Sequence, residues 1–222
     1  MKSCVLIGLH EPHLRHADFN AMRRLLGELW TMNDFYQFYP ALRPDRIFNI
    51  HKNFAGHPDP MRWQGSWIGQ YKRSGAARVY VCKHFEGLQR EFFYPIEAVS
   101  KKFDPCFQSS SVTMMLALAR LENYRHISLR GFHMLEAGEY KEQLPLLVRA
   151  LEILKKEGLQ IDAPMLEPWL RQLSRSSVDW TKVRPAVRPY WDDPSAEARD
   201  LPALAAEREC SLKEERRSCG GL

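Results

Sequence analysis

The side chains with the clearest potential for ligand chemistry lie between residues 106 and 143. Three consecutive serines, Ser109, Ser110 and Ser111, precede a strongly apolar stretch. Serine hydroxyls at the start of a helix cap free backbone N–H groups, and those groups together with the helix dipole attract phosphate or carboxylate. The triplet is therefore a simple cap, an anion-binding element, or both, since one serine can cap while another faces a ligand.

A second polar group follows the apolar run HISLRG. Gly131 ends this run, His133 comes directly after it, and Glu139 and Tyr140 begin the next helical stretch. Histidine titrates near neutral pH, so His133 is a candidate general acid or base. The carboxylate of Glu139 would suit a ribose hydroxyl, although an acid at a helix start is also favourable on dipole grounds alone.

Three further candidates each follow an apolar run in the first part of the chain: Gly8, Asn33 and His51. If these runs are parallel strands, their carboxyl ends meet at one edge of a sheet, where ligands bind in open α/β folds. We therefore predict His51 as a second catalytic candidate beside His133, with a structural hydrogen bond to a loop as the alternative. Asn33 is predicted to contact ligand, with ordinary turn chemistry as its alternative.

The sequence predicts no metal site and no common nucleotide-binding motif. His10, His13 and His16 are evenly spaced, but Pro12 lies among them and the segment reads as a loop. A magnesium ion held through ligand phosphates would leave little trace in a sequence, so the cofactor stays open. P-loop, G-x-S-x-G and G-x-G-x-x-G patterns are absent from the sequence, which argues against P-loop kinases and classical dehydrogenases.

Apolar runs alternate with helical patterns along the chain, which predicts an α/β fold. We expect a Rossmann-like, mostly parallel sheet with helices on both faces. The predicted strands are 3–9, LWTM ending at Asn33, 46–51, 77–83, 126–131 and 159–164, and the predicted helices are 19–29, 94–103, 110–123 and 139–157.

We predict a single domain over residues 1–165, interrupted by an inserted segment at 52–75, and a C-terminal extension over 166–222. Trp63 and Trp67 in the inserted segment favour an apolar docking face over a lid that stacks on a ligand. The extension is expected to be helical or irregular and, from about residue 178, flexible. Its aromatic residues are the only sign of a protein partner.

Composition and charge narrow the kinds of ligand and partner that the protein is expected to bind. The 222 residues carry a formal net charge of +5, which fits an anionic ligand. A nucleic-acid partner would call for a clustered basic face or an aromatic platform; neither is obvious, so this partner is unsupported but left open. The five cysteines show no CxxC pairing, which favours reduced thiols. With no run long enough to span a membrane, we expect a cytoplasmic protein without a membrane partner.

The pattern from 93 to 164, namely FYPIEAV, FQSSSVTMMLALA, ISLRGFHM, EYKEQ and GLQIDAP, resembles phage and prophage Rossmann-like proteins. These look related to the MptE-like group, which is similar to 6-hydroxymethylpterin diphosphokinase, and more remotely to bacterial sialyltransferase-type folds. The resemblance covers about residues 3–165. It implies a nucleotide-type ligand and a transferase that uses a nucleotide or nucleotide-sugar donor.

Two positions depart from the pattern of that group. The small-residue turn after the first strand is replaced by GLHEPH at 8–13, and His133 stands where the group has an acid. These changes support an alternative in which a phage-type protein captures a nucleotide or signalling molecule without catalysis. A protein-interaction module is the third interpretation.

Overall fold

The structure is a computed structural model, and it describes residues 1–9, 12–33, 35–50, 68–76, 78–82, 84–132, 139–168 and 170–171. For residues 12, 13 and 139–142, the backbone alone is described. Several predictions fall outside the described residues: those for His51, His133, the tryptophan pair and the tail from residue 178.

Seven strands form one sheet in the order β5-β4-β3-β2-β1-β6-β7, and all neighbours pair in parallel. The strands are β1 (Ser3–Ile7), β2 (Glu28–Met32), β3 (Arg46–Asn49), β4 (Arg78–Val81), β5 (Glu91–Phe93), β6 (His126–Arg130) and β7 (Gln160–Asp162). This architecture confirms the predicted α/β, Rossmann-like fold.

The helices are α1 (Phe19–Leu26), α2 (Phe35–Phe38), α3 (68–74), α4 (Ile96–Lys102), α5 (Ser111–Leu121) and α6 (Glu139–Lys156), and residues 167–168 and 170–171 are also helical. Two short 3-10 turns, Pro12–His16 and Pro105–Gln108, lie among them. The described helices pack on both faces of the sheet. Successive side chains of a strand point to opposite faces, so the strands contribute to two separate cores.

One face, here called the α1–α3 face, packs the first three helices on the first four strands. Its core consists of buried side chains from both layers: Val5, Ile7, Phe19, Leu29, Phe35, Ile47, Tyr71, Val79 and Val81. The other face, the α4–α6 face, has a larger core that includes Leu6, Trp30, Phe48, Val99, Phe107, Met115, Ile127, Leu147 and Leu151. That core continues to Leu166 and Leu170, beyond the predicted domain boundary at 165.

The elements that differ from the sequence prediction include the short helix α2, which was not predicted, the end of α1 and the strand β5. The helix predicted over 19–29 is wrong at its end, because α1 stops at Leu26 and β2 begins at Glu28. Gly27 between them has φ +100°, a left-handed conformation, and a Cβ there would lie 2.1 Å from the carbonyl oxygen of Ser3. The edge strand β5 was not predicted, because three residues are too few to show an alternating pattern.

Candidate functional site

The order of the strands reverses between β1 and β6. From β1 the chain builds outward through β2 to β5, and it then crosses back to place β6 on the other side of β1. In open α/β sheets, ligands bind outside the carboxyl ends of the strands at such a switch point. The candidate site is therefore the carboxyl edge of the sheet around β1 and its neighbours.

The structure brings the two predicted glycines together at this switch point. Gly8 follows β1 and donates its backbone N–H to the carbonyl oxygen of Arg130 at 2.8 Å. A Cβ on Gly8 would lie 2.4 Å from the carbonyl oxygen of Gly131, and one on Gly131 would lie 2.8 Å from that of Gly8. Both glycines are thus required for contact between the loops, whereas their contact with a ligand stays a prediction.

The serine triplet lies where α5 begins. Ser110 is the N-cap: its Oγ accepts the N–H of Thr113 at 3.3 Å, and the Oγ1 of Thr113 accepts the N–H of Ser110 at 3.0 Å. Ser109 is buried and donates its hydroxyl to the carbonyl oxygen of Cys106 at 2.8 Å. Capping is therefore confirmed for Ser110, while the hydroxyl of Ser109 serves the preceding turn.

Ser111 differs from the other two serines. It is the first residue of α5, is half-buried, and its hydroxyl makes no hydrogen bond to another described residue. Helix α5 leads into β6 and runs opposite to the parallel strands, so its N-terminus lies at the carboxyl edge. Ser111 and the free N–H groups of the first turn are thus available to an anion there.

A pair of asparagines occupies the carboxyl ends of β2 and β3. The N–H of Asn33 bonds to the carbonyl oxygen of Phe48 at 3.0 Å, which continues the register that pairs Met32 with Phe48 and sets Asn33 beside Asn49. The side-chain oxygens of both asparagines are buried, and neither has a hydrogen-bond partner among the described residues. Buried polar atoms nearly always have a partner, so this pair calls for an explanation.

Tyr71 of α3 connects the two asparagines. Its hydroxyl donates to the backbone carbonyl oxygen of Asn33 at 2.6 Å and accepts from the Nδ2 of Asn49 at 3.3 Å. Asn33 itself has φ +46°, a left-handed conformation that asparagine tolerates better than most residues. Asn49 and Tyr71 were not predicted; the signal for Asn49 was a polar residue inside the apolar run RIFNIH.

The residues of the candidate site approach the same edge from opposite faces of the sheet. Asn49 and Tyr71 belong to the α1–α3 face, since Phe48 before Asn49 packs on the other side. The serines belong to the α4–α6 face with α5. Glu139 and Tyr140 begin α6 as predicted, but their side chains are not among those described.

A second polar cluster lies at the opposite, amino edge of the sheet and was not predicted. Arg46 is almost fully buried, and its guanidinium bonds to Glu28 at 2.9 Å and to both carboxylate oxygens of Glu122 at 2.7 and 2.8 Å. The hydroxyls of Tyr80 and Tyr124 accept at 3.0 and 2.9 Å. The charge of Arg46 is thus surrounded by acceptors, which is the arrangement of a structural cluster.

The pKa values in this cluster follow from its geometry. Burial by itself raises the pKa of Glu28, but hydrogen bonds from Tyr124 and Trp30 and the charge of Arg46 outweigh burial and hold the pKa below its usual range. For Glu122, burial is likewise outweighed by the hydrogen bonds and charge of Arg46, so its pKa is also lowered. Both carboxylates therefore stay ionised at neutral pH.

The described residues contain neither a cluster that could hold a metal ion nor a helix that could cross a membrane. Among the described residues, no three histidine, cysteine or acidic side chains come together as a metal would need. In the same part of the chain, none of the helices combines the length and hydropathy that crossing a bilayer requires.

No family model matches the chain, and comparisons with curated proteins and with solved structures found no match. The resemblance to the MptE-like group therefore stays a prediction, and what the site does is argued from its own geometry.

Proposed function

We propose that this protein binds a nucleotide-type ligand at the carboxyl edge of its sheet and acts as a transferase on a nucleotide or nucleotide-sugar donor. The observation that carries the proposal is the switch point between β1 and β6, with the start of α5 and the ends of β2 and β3 at the same edge. This is the position at which doubly wound α/β proteins bind nucleotides.

The phosphates of the ligand are assigned to the start of α5. The first turn of this helix contains no acidic residue, so nothing in it repels an anion. Ser111 offers a hydroxyl that is not used within the described structure, and the first backbone N–H groups of the helix point the same way. His51 and His133 are the proposed acid–base groups of the transfer step.

A charge placed at Ser111 tests the phosphate assignment. An acid in the first turn stabilises a helix by about 0.3–1 kcal/mol through the dipole, so Ser111→Glu is expected to fold at least as well as the wild type. The same charge repels a phosphate, and we expect nucleoside diphosphates to bind about tenfold more weakly or worse. Calorimetric titration measures the affinity, and thermal unfolding measures the stability.

Asn20→Glu is the matched control for this substitution. Asn20 is exposed in the first turn of α1, which lies on the other face of the same edge; this turn contains no acid, and Asp18 is the N-cap before it. The control is expected to gain similar helix stability and to keep its affinity for nucleotide. Equal affinity of Ser111→Glu and wild type would remove α5 from the proposed site.

Binding itself is tested by a thermal-shift screen with ribonucleoside diphosphates and nucleotide sugars. A ligand at about 100 times its dissociation constant adds roughly 2.7 kcal/mol of stability. A screen in which no nucleotide raises the unfolding temperature would contradict the proposed function. Turnover of a donor that is lost in His51→Ala would separate a transferase from a protein that only captures nucleotide.

A further inference from the structure

The two unpartnered oxygens at the ends of β2 and β3 are the polar groups of the described structure that the fold leaves unused. Asn49 is 1% exposed, so bulk water does not reach its side chain. Its Oδ1 and that of Asn33 are buried without a hydrogen-bond partner among the described residues. Leaving such atoms unpaired costs stability, and a binding role would explain why both are kept.

The orientation of the Asn49 amide is fixed by Tyr71. The hydroxyl of Tyr71 has one hydrogen, which it gives to the backbone carbonyl oxygen of Asn33 at 2.6 Å. Toward Asn49 the same hydroxyl can only accept, so the Nδ2 must face it, as it does at 3.3 Å. The Oδ1 of Asn49 therefore points away from Tyr71, and no described residue donates a hydrogen bond to it.

Asn33 and Asn49 are neighbours, because Asn33 lies in the turn directly after β2 and bonds through its N–H to Phe48 of β3, and the hydroxyl of Tyr71 contacts both asparagines. Adjacent strands are about 4.8 Å apart, a spacing that suits two adjacent donor groups on one small molecule. A ligand with an ammonium group would favour a charged acceptor such as a carboxylate. No carboxylate of the described residues bonds to either asparagine. The donors that fit are neutral.

We infer that Asn33 and Asn49 bind the sugar of the ligand, with each amide oxygen accepting a hydrogen bond from one hydroxyl of a vicinal diol. The ribose of a nucleotide carries such a diol on its 2′ and 3′ carbons. Asn33 and Asn49 thereby determine specificity for ribose, and Tyr71 is a positioning residue that acts through the Asn49 amide. This inference rests on the proposed function and names the part of the ligand that β2 and β3 recognise.

Calorimetric titration with matched ligands tests the inference. The probes are ADP and UDP, their 2′,3′-dideoxy counterparts, and ribose 5-phosphate. Wild-type protein is expected to bind the ribonucleotides about tenfold more tightly than the dideoxy forms. In Asn49→Leu, which keeps the branched shape but removes the oxygen, we expect this preference to fall, with the acceptor of Asn33 left in place.

Asn33→Gly is the second variant, because its backbone conformation suits glycine. It is expected to weaken the preference for ribose in the same way, and it keeps the test open if Asn49→Leu does not fold. The lost bond to Tyr71 and the larger leucine side chain lower the unfolding temperature of Asn49→Leu by themselves, so the ligand preference decides the test. An undiminished preference for ribose in Asn33→Gly would overturn the inference.

The remaining outcomes separate the two proposals. Nucleotides that bind with no preference for ribose would refute the inference and leave the proposed function standing. Binding of ribose 5-phosphate alone, weakened in Asn49→Leu, would support the inference and refute the nucleotide ligand. If none of the probes binds, both proposals fall.

Discussion

At the scale of single residues, Arg46 carries the strongest set of interactions in the described structure. Its guanidinium also stacks over the ring of Trp30, 4.3 Å from the ring centre. The partners of this charge come from β2 (Glu28 and Trp30), from β4 (Tyr80) and from the turn before β6 (Glu122 and Tyr124). A single side chain thus ties the amino ends of β2, β3, β4 and β6 together on one face of the sheet.

Replacing Arg46 is expected to leave its two carboxylate partners without their shared cation. Removing one member of a buried ion pair costs about 3–5 kcal/mol, and we expect the low end for Arg46→Met because Glu28 and Glu122 are partly exposed. Urea unfolding measures the loss. Arg78→Met is the control, because the side chain of Arg78 is 44% exposed and its contact with Glu122 is long, at 3.9 Å. A loss of more than about 1 kcal/mol in Arg78→Met would contradict the assignment of the stability to Arg46.

The same cluster predicts a fall in stability in acid. Glu28 and Glu122 have folded-state pKa values below their usual range, so the stability they contribute is complete above the unfolded-state pKa of about 4.3 and is lost as the pH falls through the folded-state pKa. We expect the free energy of unfolding to drop below about pH 4. Glu122→Gln should flatten this drop, and an unchanged slope would show that other carboxylates are responsible.

At the scale of elements, the turn from α1 to β2 shows how a local pattern misleads. The leucines at 25, 26 and 29 continue a helical period, yet Leu29 lies in β2 because Gly27 adopts a left-handed conformation against Ser3. The close approach of two backbones, rather than periodicity, decides where the helix ends. The sequence alone does not reveal that approach, because Ser3 and Gly27 meet only in the folded chain.

Gly27→Ala tests this explanation. A Cβ would collide with the carbonyl oxygen of Ser3, so we expect a loss well above the ordinary cost of a left-handed alanine, which is about 1–2 kcal/mol. Gly158→Ala is the matched control, because Gly158 has φ +84° and nothing within 4 Å of a Cβ. Chemical unfolding of both variants gives the comparison, and equal losses would show that conformation alone matters at Gly27.

At the scale of the whole molecule, the fold could be predicted because its elements differ in period. After Ser3, the residues CVLI of β1 are all apolar and buried, whereas HISLR alternates polar and apolar residues and places Ser128 opposite Val5 of β1. The serine cap of α5 could also be predicted, since it depends on residues three apart in the chain. Such signals are local, and local signals can be read from one sequence.

The site was only partly predictable for the opposite reason. Asn33 was found because it follows a strand, but Asn49 acquires its meaning from Tyr71 and from the unpartnered oxygen next to it. The Arg46 cluster joins five residues from four separate places in the chain. Neither arrangement has a signature in spacing, because tertiary packing alone brings these groups together.

The central position of β1 has a consequence for folding of the chain during its synthesis on the ribosome. One side of β1 pairs with β2 soon after synthesis, while the other side waits for β6, since Ser3 pairs with His126. Until then the nascent chain presents an open, apolar strand edge, which is a template for wrong pairing with other chains. Strand β1 gains its second neighbour only after β6 has been synthesised. The interval before that pairing is therefore the stage at which a chaperone would be needed most.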